Sequence, residues 1–217
     1  MGYLFFLCTM VGFATQGEVM AAKKNKLSIY RKRRDLKRSP EPYGGRKKQS
    51  KTPIFVIQKH DASHLHYDFR IEIDGVLKSW AVPKGPSTNP RIKRLAVPTD
   101  DHPLEYARFE GVIPEGAYGA GAVLVWDKGT YKNIKKADGK LISMKECLQL
   151  GTIEIFLRGK KLQGAYALIR TKDNRWLLIK MRDEYADARR NPVSSQPESV
   201  LTGRTIRKIA REEKARG

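Results

Sequence analysis

Three histidines and two aspartates share one short stretch, KHDASHLHYDFRIE, from Lys59 to Glu72. Read with a period of two, Leu65, Tyr67, Phe69, Ile71 and Ile73 fall on one side, and His66, Asp68, Arg70 and Glu72 on the other. Strict alternation of this kind marks a strand with one face in a core. The opposite face then holds an imidazole, a carboxylate and a guanidinium in a row. Alternate side chains on a strand start roughly 6.5–7 Å apart, so His66 and Asp68 can converge on one cation. His60 precedes the connection Asp61–Ser63, and a hairpin there folds it back beside the pair. Two imidazoles and one carboxylate suit a borderline-to-hard divalent ion: Mn²⁺, Fe²⁺ or Zn²⁺. Arg70, one step further along, offers a planar fork suited to a phosphate. His64 reads as a turn residue. A polar row is also what the solvated side of a half-buried sheet looks like. Here it contains no Lys, Thr or Ser, and a third ligand stands six residues upstream of His66.

The elements that must position these residues are mostly strands. Ile54–Lys59, Leu65–Ile73 and Val76–Val82 alternate or run apolar, with Asp74-Gly75 as a tight turn between the last two. PKGPSTNP (Pro83–Pro90) is a loop, Lys93–Val97 a short strand, and Asp100–Tyr106 opens another loop. The Gly-rich run Glu110–Gly121 fits no phosphate-binding fingerprint, because no helix pattern follows it; its glycines read as bends in a curved sheet. Ala122–Trp126 and Gly129–Lys132 read as a hairpin around Asp127–Lys128. Three further strands are expected at Thr152–Arg158, Gly164–Arg170 and Trp176–Lys180, with Trp80 and Trp126 in the core. Short helices are expected at Met144–Leu150, over a turn or two of Asp183–Arg190, and in Thr202–Arg216. The fold class implied is all-β dominated: a small closed or nearly closed β-barrel of about eight strands with short peripheral helices.

The chain has 217 residues and a formal net charge of +20, concentrated at its ends. Residues 23–51 hold 13 Lys/Arg against Asp35 and Glu41, and residues 204–217 hold 6 against Glu212 and Glu213. Such extensions attract polyanions, nucleic acid first and an anionic membrane surface second. Four parts are expected: a leader over 1–22, a basic arm over 23–52, the barrel over 53–190, and a basic tail over 191–217. Two cysteines without a pairing pattern, Cys8 and Cys147, argue for a reducing compartment, hence the cytoplasm. The apolar run Tyr3–Ala14 lacks a preceding Lys or Arg and is too short to span a bilayer. Met20 opens MAAKKNKLSIYRKRRD, which reads as a natural start.

From Lys59 to Glu72 the sequence resembles the 3′-phosphoesterase domain found at the N-terminus of bacterial DNA ligase D and as stand-alone bacterial and archaeal proteins. Further motifs match in order: RRDLKRSPEP (Arg33–Pro42), LKSWAVPKGPS (Leu77–Ser87), DHPLEY (Asp101–Tyr106), FEGVIPEGAYGAG (Phe109–Gly121), WDKGTY (Trp126–Tyr131), WLLIKMRDEYAD (Trp176–Asp187) and SVLTGRT (Ser199–Thr205). Ala117 departs from the pattern, standing where an acidic residue is common.

The resemblance implies a manganese-dependent enzyme that heals 3′ ends in DNA repair by non-homologous end joining. It implies removal of a 3′-terminal ribonucleoside, a phosphodiesterase step, and then of the 3′-phosphate, a phosphomonoesterase step. By position, His60, His66 and Asp68 match the family's metal ligands. Arg70 and His102 match residues that engage the scissile phosphate, and Tyr106 an essential tyrosine beside it. Arg34, Asp35 and Glu41 match functional residues of an N-terminal segment, which turns the arm from mere tail into a flexible cover over the site. Lys84 and Arg94 match basic positions of the substrate face. The partners implied are DNA or RNA-tailed DNA 3′ ends and a separate ligase or polymerase, with no membrane; a nucleoid-associated monomer is expected. Two other readings use the same residues. A non-haem iron oxygenase also employs two His and one carboxylate, but needs neither Arg34 and Arg70 nor the basic arm. A non-catalytic basic barrel would simply bind nucleic acid.

Overall fold

The computed structural model describes residues 26–45 and 52–215. The leader over 1–22, with Cys8, and the stretch 46–51 lie outside the described residues. Eleven strands follow a short helix α1 (Ser28–Arg33): β1 (Ile54–Asp61), β2 (Leu65–Ile73), β3 (Val76–Val82), β4 (Lys93–His102), β5 (Gly111–Ile113), β6 (Gly121–Asn133), β7 (Lys136–Ala137), β8 (Lys140–Leu141), β9 (Thr152–Gly159), β10 (Gln163–Arg170) and β11 (Trp176–Lys180). Helix α2 (Met144–Leu150) lies between β8 and β9, and α3 (Pro192–Ser195) and α4 (Ile206–Lys214) follow β11.

The antiparallel order β1-β2-β3-β4-β11-β10-β9-β6 is closed by pairing of β6 with β1, giving an eight-stranded barrel; β5 rides on the start of β6. Local chemistry fixes the joints. Asp74 and Gly75 both take positive φ (52° and 79°), as a two-residue hairpin that follows strand twist requires. Helix α2 begins with a reciprocal Ser143–Glu146 capping box and ends on left-handed Gly151.

Inward residues of alternate strands fill the barrel: Phe55, Ile57, Phe69, Ile71, Trp80, Leu124, Trp126, Leu157, Leu168 and Leu178 are all buried. A second apolar layer lies outside the wall. Val56, Val123 and Val125 face outward and are covered by Tyr30, Tyr106 and Phe109. That is why Ile54–Ile57 reads as an unbroken apolar run: β1 is buried on both faces. The polar row of β2 lies on this covered outer side, with Asp68, Arg70 and Glu72 at 4%, 3% and 1% exposure. It is therefore not a solvated sheet face.

Several sequence expectations need correction. Asp127–Lys128 is no hairpin turn; β6 runs unbroken through it. The Asp127 carboxylate instead accepts from the backbone N–H groups of Lys160, Lys161 and Leu162, tying down the β9–β10 turn. The strand expected over Lys93–Val97 continues to His102, so His102 ends a strand, and Leu104–Arg108 is a 3₁₀ turn, not open loop. No helix forms over Asp183–Arg190, because the Asp183 side chain is taken by Lys180 and the Ala165 and Tyr185 amides. The tail is a packed element over its described part, with Ile206 and Ile209 in the barrel core. The arm over 26–45 is docked, not extended: Tyr30 has no exposed surface and donates to the Pro42 carbonyl at 2.7 Å.

Truncating that ring should forfeit about 3–5 kcal/mol of aromatic burial. In Tyr30→Ala this loss is expected as local opening. Native-state trypsin cleavage within Arg31–Arg38 should quicken at least about tenfold while far-ultraviolet dichroism is unchanged, as for a segment that opens below the global unfolding energy.

Candidate active site

Sheet register builds the site rung by rung. His60 faces His66, Gln58 faces Asp68, and Arg70 faces Ser79 across the β1-β2-β3 wall. All project to the same outer side. One ligand atom from each of His60, His66 and Asp68 lies within 4.8 Å of the other two. Two ligands bonded at about 2.1 Å to a common ion stand at most ~4.2 Å apart, so the set needs to close by only roughly half an ångström.

The other atoms of these ligands are already engaged. His60 Nε2 bonds the Gly119 carbonyl at 2.9 Å, and His66 Nδ1 bonds the His64 carbonyl at 2.8 Å. Since a carbonyl only accepts, both ring nitrogens are assigned as N–H donors. That leaves His60 Nδ1 and His66 Nε2 as lone pairs facing Asp68, at 3.5 Å from Oδ2 and 3.8 Å from Oδ1. Fixing the tautomer through the distal nitrogen is how metal-bound histidines are held. Burial alone would push the Asp68 carboxyl up, but the adjacent Arg70 guanidinium holds it well below the usual carboxylate range. The donor set thus fits a divalent metal.

Behind the triad lies a cationic pocket. Arg70 donates from Nε to Gln58 Oε1 (2.8 Å), from Nη1 to Ser79 Oγ (2.8 Å) and from Nη2 to Asp68 Oδ2 (3.0 Å). Gln58 is itself pinned, donating to the Tyr106 and Phe109 carbonyls at 3.0 Å each. Arg34 reaches in from the arm. Its Nε bonds Glu41 Oε1 at 3.0 Å, its Nη2 lies 3.1 Å from His102 Nε2, and its guanidinium covers the Tyr30 ring at 4.2 Å. Glu41 also accepts from Tyr106 OH at 3.0 Å and Ser39 Oγ at 2.8 Å. Burial pushes the Tyr106 hydroxyl well above its ordinary pKa, with the Glu41 charge adding to the rise, so it stays a donor.

His102 sits between the two guanidinium groups. Arg34 Nη2 lies 3.1 Å from Nε2, while Nδ1 lies 2.8 Å from both Arg70 Nη1 and the Asp100 carbonyl. Burial first, then Arg70 and Arg34, drive its pKa well below 6.5; the ring is neutral.

Arg34, His60, His66, Asp68, Arg70, His102 and Tyr106 line one cavity of about 230 Å³, together with Asp100, Tyr118 and Gly119. Glu41 stands directly behind it. Three expected residues are not brought in. Asp35 is exposed, its carboxylate accepting from Lys37 N–H at 3.2 Å. Lys84 is exposed just beyond β3. Arg94, half-buried on β4, shares the inward face of core residue Ala96. Sequence reasoning missed Gln58 and Ser79, although Gln58 has the same strand parity as His60, a signal sufficient to find it. It also missed Asp100, Tyr118 and Gly119; a backbone carbonyl such as that of Gly119 leaves no mark in a sequence.

A family model described as the DNA ligase D 3′-phosphoesterase domain matches residues 58–170, from Gln58 through β10. The chain belongs to this family. It is 46% identical over 188 residues to the multifunctional non-homologous end joining protein LigD of Pseudomonas aeruginosa, covering 83% of this chain and 22% of that protein. Against the LigD proteins of Mycobacterium tuberculosis and Mycolicibacterium smegmatis, identity is 45% and 44% over 161 residues, covering 74% of this chain and 20% and 21% of theirs. The chain thus spans about a fifth of the length of these relatives. The matched segment contains the whole His60–His66–Asp68 set, Arg70, His102 and Tyr106; the arm and the C-terminal motif lie outside it. Among the described residues, no helix is long and apolar enough to cross a membrane.

The neutral state of His102 has a measurable consequence. As pH falls through 6.5, the unfolded chain takes up a proton that the folded protein refuses. Stability should therefore fall by up to about 1.4 kcal/mol per pH unit on this account. His102→Gln is expected to flatten that part of the slope between about pH 6.5 and 5, read from urea unfolding at a series of pH values.

Proposed function

We propose that the protein is a metal-dependent phosphoesterase that processes DNA 3′ ends, removing 3′-terminal ribonucleosides and 3′-phosphates to leave 3′-OH. The observation that supports it most is the junction of a two-His, one-Asp donor set with two buried guanidinium groups in a single cavity. A metal set alone fits many reactions. A metal set beside Arg34 and Arg70 fits a phosphoryl group, whose charge both cations neutralise. Membership of the 3′-phosphoesterase family, whose relatives are named as non-homologous end joining proteins, supports an end-processing role in that pathway.

His60, His66 and Asp68 would hold the metal, with Mn²⁺ the ion we favour. When bound, it supplies Lewis acidity to a phosphoryl oxygen and a more acidic water. The chain's own residues do the rest. Arg70, fixed on three sides, presents a rigid positive edge that costs no reorganisation on binding. Arg34 supplies the second clamp. Neutral His102, set between the two guanidinium groups, keeps one unprotonated ring nitrogen and so acts first as a proton acceptor; an adjacent phosphate dianion then favours its protonated, donating form. Tyr106 and Glu41 position Arg34 and Arg70 and need not exchange protons.

Asp35 and Lys84 are proposed to contact the substrate strand outside the catalytic cavity. Basic residues at the chain ends would follow the DNA backbone. A ligase or polymerase acting on the healed end would be a further partner. The protein would work as a monomer in the cytoplasm, at the nucleoid.

The deciding assay is conversion of a 3′-phosphate primer–template to 3′-OH in Mn²⁺, with EDTA as the blank. The His66→Ala protein should fold and bind DNA yet lose at least about 10³-fold in rate, as expected when a group that stabilises developing charge is removed. Undiminished turnover by that variant, or in EDTA, would sink the reading.

A further inference from the structure

Glu110 stands at the entrance to the loop that holds His60, and its carboxylate is given over to distant parts of the chain. Its side chain is only 5% exposed. Oε1 accepts from Val125 N–H at 2.8 Å and from the Ser199 hydroxyl. Oε2 accepts from Thr202 Oγ1 at 2.8 Å and Arg204 Nη2 at 3.4 Å. The Ser199 hydroxyl in turn accepts from the N–H groups of Leu201 and Thr202, closing a turn at left-handed Gly203. The Val125 carbonyl accepts from Val200 N–H at 2.9 Å. Val125 adjoins the bulge where the β1–β6 register slips past Trp126. At that point Glu110 takes the Val125 N–H and the C-terminal segment takes its carbonyl.

From Glu110 the chain passes straight into β5. That strand is three residues long and pairs with β6 alone. So short an edge strand has little stability of its own and depends on what covers it. The cover is α4, which packs on β5 and β6 with Ile206 and Ile209 in the core. Beyond β5 come two tight turns, closed by Ala117 N–H to Pro114 O and Ala120 N–H to Ala117 O. The second presents the Gly119 carbonyl to His60 Nε2 at 2.9 Å.

We propose that Glu110 and the Ser199–Thr205 segment form a positioning device for the metal ligand His60. The segment anchors Glu110, Glu110 anchors β5, and β5 sets the height of the Gly119 carbonyl that fixes the His60 tautomer and ring plane. These residues touch neither metal nor substrate. The SVLTGRT motif thereby gains a role in the site, although it lies about 80 residues beyond Gly119 in the chain. The inference rests on reading His60, His66 and Asp68 as a metal site.

The test is Mn²⁺ binding, followed by loss of the free hexaaqua-ion paramagnetic resonance signal, on the full chain well below its unfolding temperature. Glu110→Gln keeps the volume but turns an amide N–H₂ toward hydroxyl and guanidinium donors. Thr202→Val removes one donor at nearly constant shape. Outer partners of metal ligands typically change affinity by about 10–100-fold. A tenfold or greater loss is expected for Glu110→Gln, and about threefold or more for Thr202→Val. Ser143→Ala, which strips the cap of α2, is the control: it should cost stability and leave Mn²⁺ affinity unchanged. Should Glu110→Gln fail to fold, Thr202→Val decides alone. Wild-type affinity in the folded variants, or an equal loss in the Ser143→Ala control, would overturn the positioning role. A wild-type protein that takes up no Mn²⁺ would instead overturn the metal reading beneath it.

Discussion

Arg70 is a guanidinium with 3% of its surface exposed, and it cannot shed its charge. Burying such a group is tolerable only if its N–H groups are bonded and its charge is balanced. Asp68 supplies the balance at 3.0 Å; Gln58 and Ser79 supply further acceptors. Each of these is itself held, Gln58 by two backbone carbonyls and Ser79 by the Leu77 carbonyl. The result is a fixed positive edge beside a fixed carboxylate, within one strand and two residues of each other. Everything else in the site is arranged around that pair. The triad needs Asp68 ionised, and Arg70 keeps it so. His102 is neutral because Arg70 and Arg34 flank it in a dry environment.

The barrel explains why the site lies on its wall and not in its interior. The lumen is filled by aromatic and aliphatic side chains from alternate strand positions. A polar row on an outward face would ordinarily be solvated, where ion pairs contribute little. Here the arm, the Leu104–Arg108 turn and the Gly-rich loop cover that face, and the second apolar layer under Tyr30 and Tyr106 excludes water around it. The wall thus has a dry core on both sides, with the charged row at the margin of the outer one.

The parts legible in the sequence were those carried by strand periodicity. Alternation over Leu65–Ile73 gave the wall, the outward row and the convergence of His60 with His66 and Asp68, because side-chain parity is a local property. The count of short strands was enough to imply closure. Asp127 misled because an Asp-Lys pair before Gly129 has turn composition; its actual task, capping the amides of Lys160–Leu162, depends on a strand some 33 residues away. The arm's charge density reads as solvated tail, and the resemblance alone pointed to Arg34 and Glu41 as parts of the site; its docking through Tyr30 and Glu41 against β4 and the Tyr106 turn is not written in its composition. Ser79 belongs to a rung set by register, which composition does not encode, whereas Gln58 lay within reach of the parity argument.

The two guanidinium groups are supported by different parts of the chain, Arg70 by the barrel wall beside the candidate metal ligands and Arg34 by the arm. The three candidate ligands come from adjacent strands of a closed barrel, a scaffold that holds their backbones whether or not anything is bound. Arg34 comes from a segment that docks on the barrel through Tyr30, Leu27 and Leu36, the Tyr106–Glu41 hydrogen bond, and polar contacts to Asp74, Asp100, His102 and Tyr118. Docking of the arm therefore completes the phosphate clamp, while the ligand set is complete without it. A phosphate between Arg34 and Arg70 would bridge the two parts, since each guanidinium is anchored on a different one. By thermodynamic reciprocity, whatever such a phosphate gains from the docked arm, the docked arm gains from the phosphate. Under the function proposed above, a site divided in this way would keep a bound metal while admitting and releasing the end of a DNA strand.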